Sequence, residues 1–80
     1  MQMKIIQLIA DVKNDPSLVD TLTGSSHLID DVGMDSLQMI NLILQIESEF
    51  DVEVDFNSFY IDHLSSLNHF TEYVAGLPKA

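Results

Sequence analysis

The segment Ser36–Phe50 constrains the fold most, because it is typical of one helix with more apolar surface than a small bundle can bury. It contains neither Gly nor Pro, and all its residues are good or neutral helix formers. At about 100° per residue, five apolar residues form one core-facing side of this helix: Met39, Leu42, Ile43, Ile46 and Phe50. Three more lie on nearly the opposite side and are called the apolar strip: Leu37, Ile40 and Leu44.

The rest of the chain offers no obvious element to cover the apolar strip. Exposed apolar surfaces of this kind mark partner or ligand sites. We therefore expect the strip to be exposed and bordered by acids; it shares its side of the helix with Asn41 and Ser48 and is flanked by Glu47. The alternative is that the long segment before this helix folds over the strip and makes it core.

Charge restricts the classes of partner. The 80 residues carry 13 Asp and Glu against 3 Lys and Arg, a net charge of −10, and residues 14–78 contain no Lys or Arg. Such a surface repels nucleic acid and anionic lipid, so we expect neither as a partner and predict docking to basic protein patches instead. An acidic surface kept only for solubility is the alternative. The length excludes a two-domain enzyme.

Targeting signals and cysteine chemistry are not evident. The apolar N-terminal stretch is short and interrupted by Gln7, which is untypical of a signal peptide or a membrane span. Cys is absent, which excludes disulfides and thiolate sites. We expect a cytoplasmic monomer.

The flanking segments predict further helices. Apolar residues at helical spacing from Met3 to Val12 indicate a first helix, and Ser65-Ser66 is typical of the cap of a last helix that ends near Gly76 and Pro78. A short third helix is predicted over residues 56–62. The alternating segment 49–56 is read as an extended connection that inserts Val52 and Val54 into the core, although its period alone also fits a strand.

The predicted fold is therefore all-α: a small four-helix bundle, with three main helices, a short third helix and a long loop between helices one and two. A loop of about 20 residues is unusual in so small a domain, and such loops are often functional or packed by their own side chains. Its apolar residues could supply that packing: Leu18, Val19, Leu22, Leu28 and Ile29.

The helix Ser36–Phe50 begins within the sequence Gly33-Met34-Asp35-Ser36-Leu37. Ser is a good helix cap, and a tripeptide such as Asp-Ser-Leu can arise by chance in a chain of this length, so the tripeptide alone proves little. Its placement after a long loop in an acidic chain resembles the acyl carrier protein family. The resemblance covers essentially the full length and includes Glu47-Ser48-Glu49-Phe50 and Thr71-Glu72-Tyr73-Val74.

This resemblance implies one carrier domain over residues 1–80, with 4′-phosphopantetheine from coenzyme A attached covalently to Ser36. It implies no catalytic residue: the chain holds acyl groups as thioesters and presents them to enzymes. The implied partners are a phosphopantetheinyl transferase, an acyl-loading enzyme or ligase, and a ketosynthase or other acyl-processing enzymes with basic docking patches. Their recognition residues are expected on and beside the apolar strip: Asp35, Leu37, Ile40, Asn41, Leu44 and Glu47.

Departures from the family pattern bear on the pathway. Carriers of primary fatty acid synthesis usually have acids where this chain has Asn41 and Ser48, so a specialised, polyketide-type pathway is favoured. Peptidyl carriers commonly have a second Gly where Met34 stands, which favours acyl cargo. A primary fatty acid carrier and an aminoacyl or peptidyl carrier stay as alternatives. The pliable side chain of Met39 is compatible with cargo held inside the bundle.

Other classes of function have weaker support. An unmodified acidic interaction module, in which Ser36 only caps its helix, is the main alternative. A serine hydrolase needs a positioned base, and this chain lacks the Gly-x-Ser-x-Gly motif that such enzymes often carry. Asp51, Glu53, Asp55 and Asn57 have the spacing of a calcium loop, but Phe56 replaces its turn Gly and Asp62 its closing Glu. No defined metal site is expected.

Overall fold

Four α-helices and one 3₁₀ helix account for the regular structure of the computed structural model, which describes residues 1–55 and 59–80. The α-helices are α1 (Gln2–Lys13), α2 (Leu18–Thr21), α3 (Ser36–Phe50) and α4 (Leu67–Ala75), and the 3₁₀ helix spans Ile61–Leu64. The predicted all-α bundle is confirmed. None of the described helices combines the length and hydropathy needed to cross a membrane.

The core is built from one side of each long helix. Helix α1 contributes Ile5 and Ile9, and α4 contributes Phe70, all at most 1% exposed. The predicted core side of α3 is confirmed, since Met39, Leu42, Ile43 and Ile46 are buried and Phe50 is half-buried. Ser66 caps helix α4, as predicted: the Ser66 Oγ accepts a hydrogen bond from the His69 backbone N–H at 3.1 Å.

The long loop between α1 and α3 packs against the bundle through its own side chains. Leu28 is fully buried, and Leu18, Leu22 and Ile29 pack against the core, as predicted. Val19 is exposed, so the packing role considered for it was wrong. Val19 lies in the single turn α2, which the sequence pattern did not reveal and which exposes one side to solvent.

The acid-apolar segment after α3 is an extended connection. Val52 and Val54 are buried, which confirms the predicted insertion. Val52 forms an isolated antiparallel bridge with Lys79. The Glu53 backbone N–H donates to the Pro78 carbonyl oxygen at 2.9 Å, and the Ala80 N–H donates to the Asp51 carbonyl at 3.0 Å. The C-terminal tail thus satisfies the backbone of this connection.

The short third helix lies later in the chain than predicted. Residues 56–58 of the predicted segment are outside the described residues, and Tyr60 has an extended backbone with φ −112° and ψ 156°. The 3₁₀ helix begins only at Ile61, because the Tyr60 N–H donates to His63 Nδ1 at 3.1 Å and fixes the chain at that point. Phe59 packs against the core, whereas Tyr60 is 63% exposed.

Candidate functional site

The head of α3 is capped by Asp35. Its Oδ1 accepts a hydrogen bond from the Gln38 backbone N–H at 2.8 Å. In return, Gln38 Oε1 accepts one from the Asp35 N–H at 3.2 Å, which completes a capping box. Ser36 is therefore the first helical residue, and its side chain is not the cap. The alternative hypothesis that Ser36 only caps its helix is therefore wrong.

Ser36 presents a free hydroxyl at this helix terminus. The residue is exposed, and its side chain has no hydrogen-bond partner within residues 1–55 and 59–80. The first backbone N–H groups of a helix lack intrahelical acceptors. Asp35 satisfies those of Gln38 and Met39, which leaves the N–H groups of Ser36 and Leu37. Such N–H groups, together with the positive end of the helix dipole, favour an anion.

A groove opens beside this hydroxyl and is called the Ser36 groove. Its volume is about 520 Å³. Its walls come from the long loop, α3, the residues before the 3₁₀ helix, and the 3₁₀ helix itself: Ile29, Met34, Asp35, Ser36, Met39, Ile40, Ile43, Phe59 and Leu64. Most of these side chains are apolar, so the groove suits a hydrophobic chain near Ser36.

Sequence reasoning anticipated Met39 in such a role and missed Ile29. Ile29 and Phe59 reach the groove from segments distant in sequence, and no local pattern signals that placement. Ile29 belongs to the loop between α1 and α3, and Phe59 precedes the 3₁₀ helix. Only tertiary packing brings them to Ser36.

The apolar strip is exposed, as predicted. Leu37, Ile40 and Leu44 are 68%, 48% and 56% exposed. The long loop does not cover them, so the alternative that this side is core is wrong. Asn41 and Asp35 are also exposed, and the strip continues from Ile40 into the Ser36 groove. The structure therefore brings a free hydroxyl, an apolar groove and an apolar surface together on one helix.

Glu47 has a structural contact besides its predicted role in recognition. The residue is half-buried, and its Oε2 accepts a hydrogen bond from the Val54 backbone N–H at 2.9 Å. The carboxylate thereby fixes the extended connection against the C-terminal half of α3. Partner recognition by Glu47 stays a prediction.

The three histidines lie away from the Ser36 groove in the described part of the chain. Among the residues that line the Ser36 groove there is no histidine. His63 and His69 line a different groove with Tyr73. His27 instead lies in the long loop, where its Nδ1 accepts hydrogen bonds from the N–H groups of Ile29 and Asp30 at 3.1 and 3.0 Å. Among the described residues Ser36 therefore has no hydrogen bond to a histidine, the contact on which a Ser-His pair depends.

Metal ligands do not converge in the described ranges either, since residues 1–55 and 59–80 contain no group of three His, Asp or Glu side chains placed to hold an ion. Phe56 and Asn57 of the calcium-like spacing lie outside those ranges.

Lysine neutralises few of the acidic side chains. In the described ranges the one ion pair between a lysine and a carboxylate joins Lys4 Nζ to Glu49 Oε1 at 2.7 Å. The hydrogen bond and charge of Glu49 raise the pKa of Lys4. This pair lies at the end of α3 opposite Ser36, and Asp35 has no lysine partner among the described residues.

The chain is similar to several acyl carrier proteins. It is 39% identical over 51 residues to acyl carrier protein AcpXL of Mesorhizobium japonicum, covering 64% of this chain and 53% of that protein. It is 30% identical over 79 residues to the mitochondrial acyl carrier protein of Neurospora crassa, covering 96% and 55%. The chain thus spans about half the length of these two relatives. An acyl carrier protein of Desulforapulum autotrophicum is 28% identical over 74 residues, covering 92% of both chains.

A family model described as a phosphopantetheine attachment site matches residues 4–74. The match includes Ser36, the Ser36 groove and the apolar strip. The site also fits the group physically: it offers a free hydroxyl for a phosphodiester, two free N–H groups at a helix N-terminus and an apolar groove beside them. On the extent of this match, the chain belongs to the family of phosphopantetheine-binding proteins, in which 4′-phosphopantetheine is attached covalently.

Proposed function

We propose that residues 1–80 form one acyl carrier domain, with 4′-phosphopantetheine attached through the Ser36 hydroxyl. The observation that carries the proposal is the state of that hydroxyl. It is exposed and unbonded among the described residues, because Asp35 caps the helix in its place. A serine with only a capping role would instead accept a hydrogen bond at its side-chain oxygen from a backbone N–H of the first helical turn.

The local geometry suits the linkage. A phosphodiester on Ser36 carries one negative charge next to the N–H groups of Ser36 and Leu37, where the helix dipole favours an anion. Asp35 partly offsets that gain with its own charge. When bound, the arm supplies a thiol that holds the acyl group as a thioester. The protein then needs to present the cargo and not to react with it.

Partner enzymes are proposed to dock on the apolar strip. Leu37, Ile40 and Leu44 offer contiguous apolar surface beside Ser36, and Asp35, Asn41 and Glu47 offer polar and acidic groups at its borders. With a net charge of −10, long-range attraction to basic patches accelerates association. Weak contacts of this kind permit exchange between a phosphopantetheinyl transferase, an acyl-loading enzyme or ligase, and a ketosynthase.

A specialised, polyketide-type pathway is proposed for the cargo. Asn41 and Ser48 leave the border of the apolar strip less acidic than in carriers of primary fatty acid synthesis, and this difference supports separate partner enzymes. The Ser36 groove, lined mostly by apolar residues, suits an acyl chain better than an aminoacyl group. A monomeric state and a cytoplasmic location stay predictions, which sedimentation and cell fractionation test.

Incubation with coenzyme A and a broad-specificity phosphopantetheinyl transferase tests the attachment. Intact-mass spectrometry of the wild type is expected to show one phosphopantetheine adduct. Ser36→Ala is expected to show none. Ser48→Ala is the matched control, because Ser48 is an exposed serine on the same helix and its loss leaves the adduct in place. An adduct on Ser36→Ala, or none on the folded wild type, contradicts the proposal.

A further inference from the structure

Lys13 links the end of α1 to the segment that presents Ser36. Its Nζ donates hydrogen bonds to the Gly33 carbonyl oxygen at 3.0 Å and to Gln38 Oε1 at 3.2 Å. Lys13 is the last residue of α1 and is half-buried. The two acceptors lie on either side of Ser36 in the sequence, one in the approach to α3 and one in its first turn.

The ordinary explanation for Lys13 is incomplete. A lysine in the last turn of a helix interacts favourably with the negative end of the helix dipole. The ammonium of Lys13 does donate to carbonyl oxygens, but those of the preceding turns of α1 are not its acceptors. It also forms no ion pair with a carboxylate among residues 1–55 and 59–80. Its hydrogen bonds go instead to Gly33 and Gln38, on either side of Ser36.

Gln38 transmits this contact to the cap. The same Oε1 atom that accepts from Lys13 also accepts from the Asp35 N–H, while the Gln38 N–H donates to Asp35 Oδ1. Lys13 therefore fixes the orientation of the Gln38 amide that the capping box requires. The second contact holds Gly33, whose φ of 78° lies in the left-handed region that favours glycine. Both ends of the Gly33–Gln38 segment are thus tied to α1.

We propose that Lys13 is a positioning residue for the modification of Ser36: by holding Gly33 and Gln38, it fixes the serine hydroxyl in place before the transferase binds. This inference rests on the proposed function. A lysine suits this role because one ammonium group has three N–H donors and can bridge two acceptors at once. A small displacement of a reacting atom can lower a rate by about 10²-fold. Because loss of the Lys13 bridge displaces the Ser36 hydroxyl, we expect it to slow the transfer step more than it weakens binding of the transferase.

Transferase kinetics with coenzyme A test the inference. Lys13→Met keeps an unbranched side chain of similar length but cannot donate a hydrogen bond. Its kcat for modification is expected to fall roughly tenfold, a part of the loss that misplacement can cause, with KM for the carrier within about twofold. Lys13→Arg restores donors and is expected to recover most of kcat. Lys4→Met removes the same charge far from Ser36 and is expected to keep the wild-type kcat.

A second readout separates positioning from general destabilisation. Hydrogen exchange of the Asp35 amide, which donates to Gln38 Oε1, is expected to accelerate in Lys13→Met, whereas exchange of the core amide of Phe70 changes little. The kcat loss is expected to persist at about 0.5 M NaCl, where the Debye length is roughly 4 Å, because it comes from hydrogen bonds and not from long-range charge.

Several outcomes overturn the inference. Wild-type kcat in Lys13→Met, or an equal loss in Lys4→Met, removes the special role of Lys13. If Lys13→Met is unfolded by circular dichroism, Lys13→Gln replaces it, since that shorter side chain does not span both acceptors, and wild-type kcat again contradicts the inference. Failure of the wild type to accept any phosphopantetheine instead refutes the proposed function itself.

Discussion

Two leucines on α3, two residues apart, have opposite environments and provide a direct test of its two-sided character. Leu42 is fully buried, whereas Leu44 is 56% exposed. Substitution of a buried leucine by alanine costs about 2 to 5 kcal/mol through lost burial and the cavity left behind. A single small core supplies roughly 3 to 5 kcal/mol in all. Leu42→Ala is therefore expected to leave a large unfolded fraction at 25 °C.

Leu44→Ala is the matched control, since it makes the same chemical change on the same helix. About half of its side chain already contacts water, and alanine is the better helix former. We expect a change in unfolding free energy within about 0.5 kcal/mol, typical of surface substitutions. Urea unfolding followed by circular dichroism measures both variants. Similar losses in the two would refute the assignment of one buried and one exposed side to α3.

Three further predictions follow from single contacts or charges. Asp35→Ala removes the cap of α3 and is expected to lower the unfolding free energy by about 1 kcal/mol in urea melts, and a loss below 0.3 kcal/mol contradicts the capping box. The raised pKa of Lys4 adds stability at pH values below the ordinary lysine pKa, about 10.4, and this stability is lost as pH rises through the raised value. Unfolding measured as a function of alkaline pH is expected to show this loss in the wild type and not in Lys4→Met. Raising NaCl is expected to increase the melting temperature, because the net charge of −10 opposes compaction, and a decrease contradicts this.

Much of the fold follows from local signals. The bounds of α3 are evident because Ser36–Phe50 has no breaker and carries a cap, and α4 is marked by Ser66 at one end and Gly76 at the other. The exposure of the apolar strip also follows from the helical period, because a small bundle has only enough elements to cover one side of α3. These features depend on neighbours within a few turns of helix.

The features that were missed depend on contacts between distant segments. The hydrogen bonds of Lys13 span 20 and 25 residues, and the pairing of Val52 with Lys79 joins the middle of the chain to its end. Neither the residue types nor their spacing in the sequence predicts such pairs. The predicted third helix was misplaced for a related reason, since the contact between Tyr60 and His63 delays its start.

For Ser36, too, one part of the account is predictable from the sequence and another is not. Its place at the head of α3 follows from the sequence, but its freedom from capping depends on which neighbour supplies the cap. Asp35 and Ser36 are both good capping residues, and only the geometry of Asp35 and Gln38 distinguishes them. The structure therefore strengthens the proposed attachment by removing the competing role of the serine.

Site-resolved mass spectrometry of the protein isolated from its native cells tests the central claim most directly. Fragmentation of the peptide that contains Ser36 is expected to locate a phosphopantetheine group on that residue, and the mass of any attached acyl group then identifies the cargo. A wholly unmodified Ser36, or the group on a different serine such as Ser48, would contradict the account.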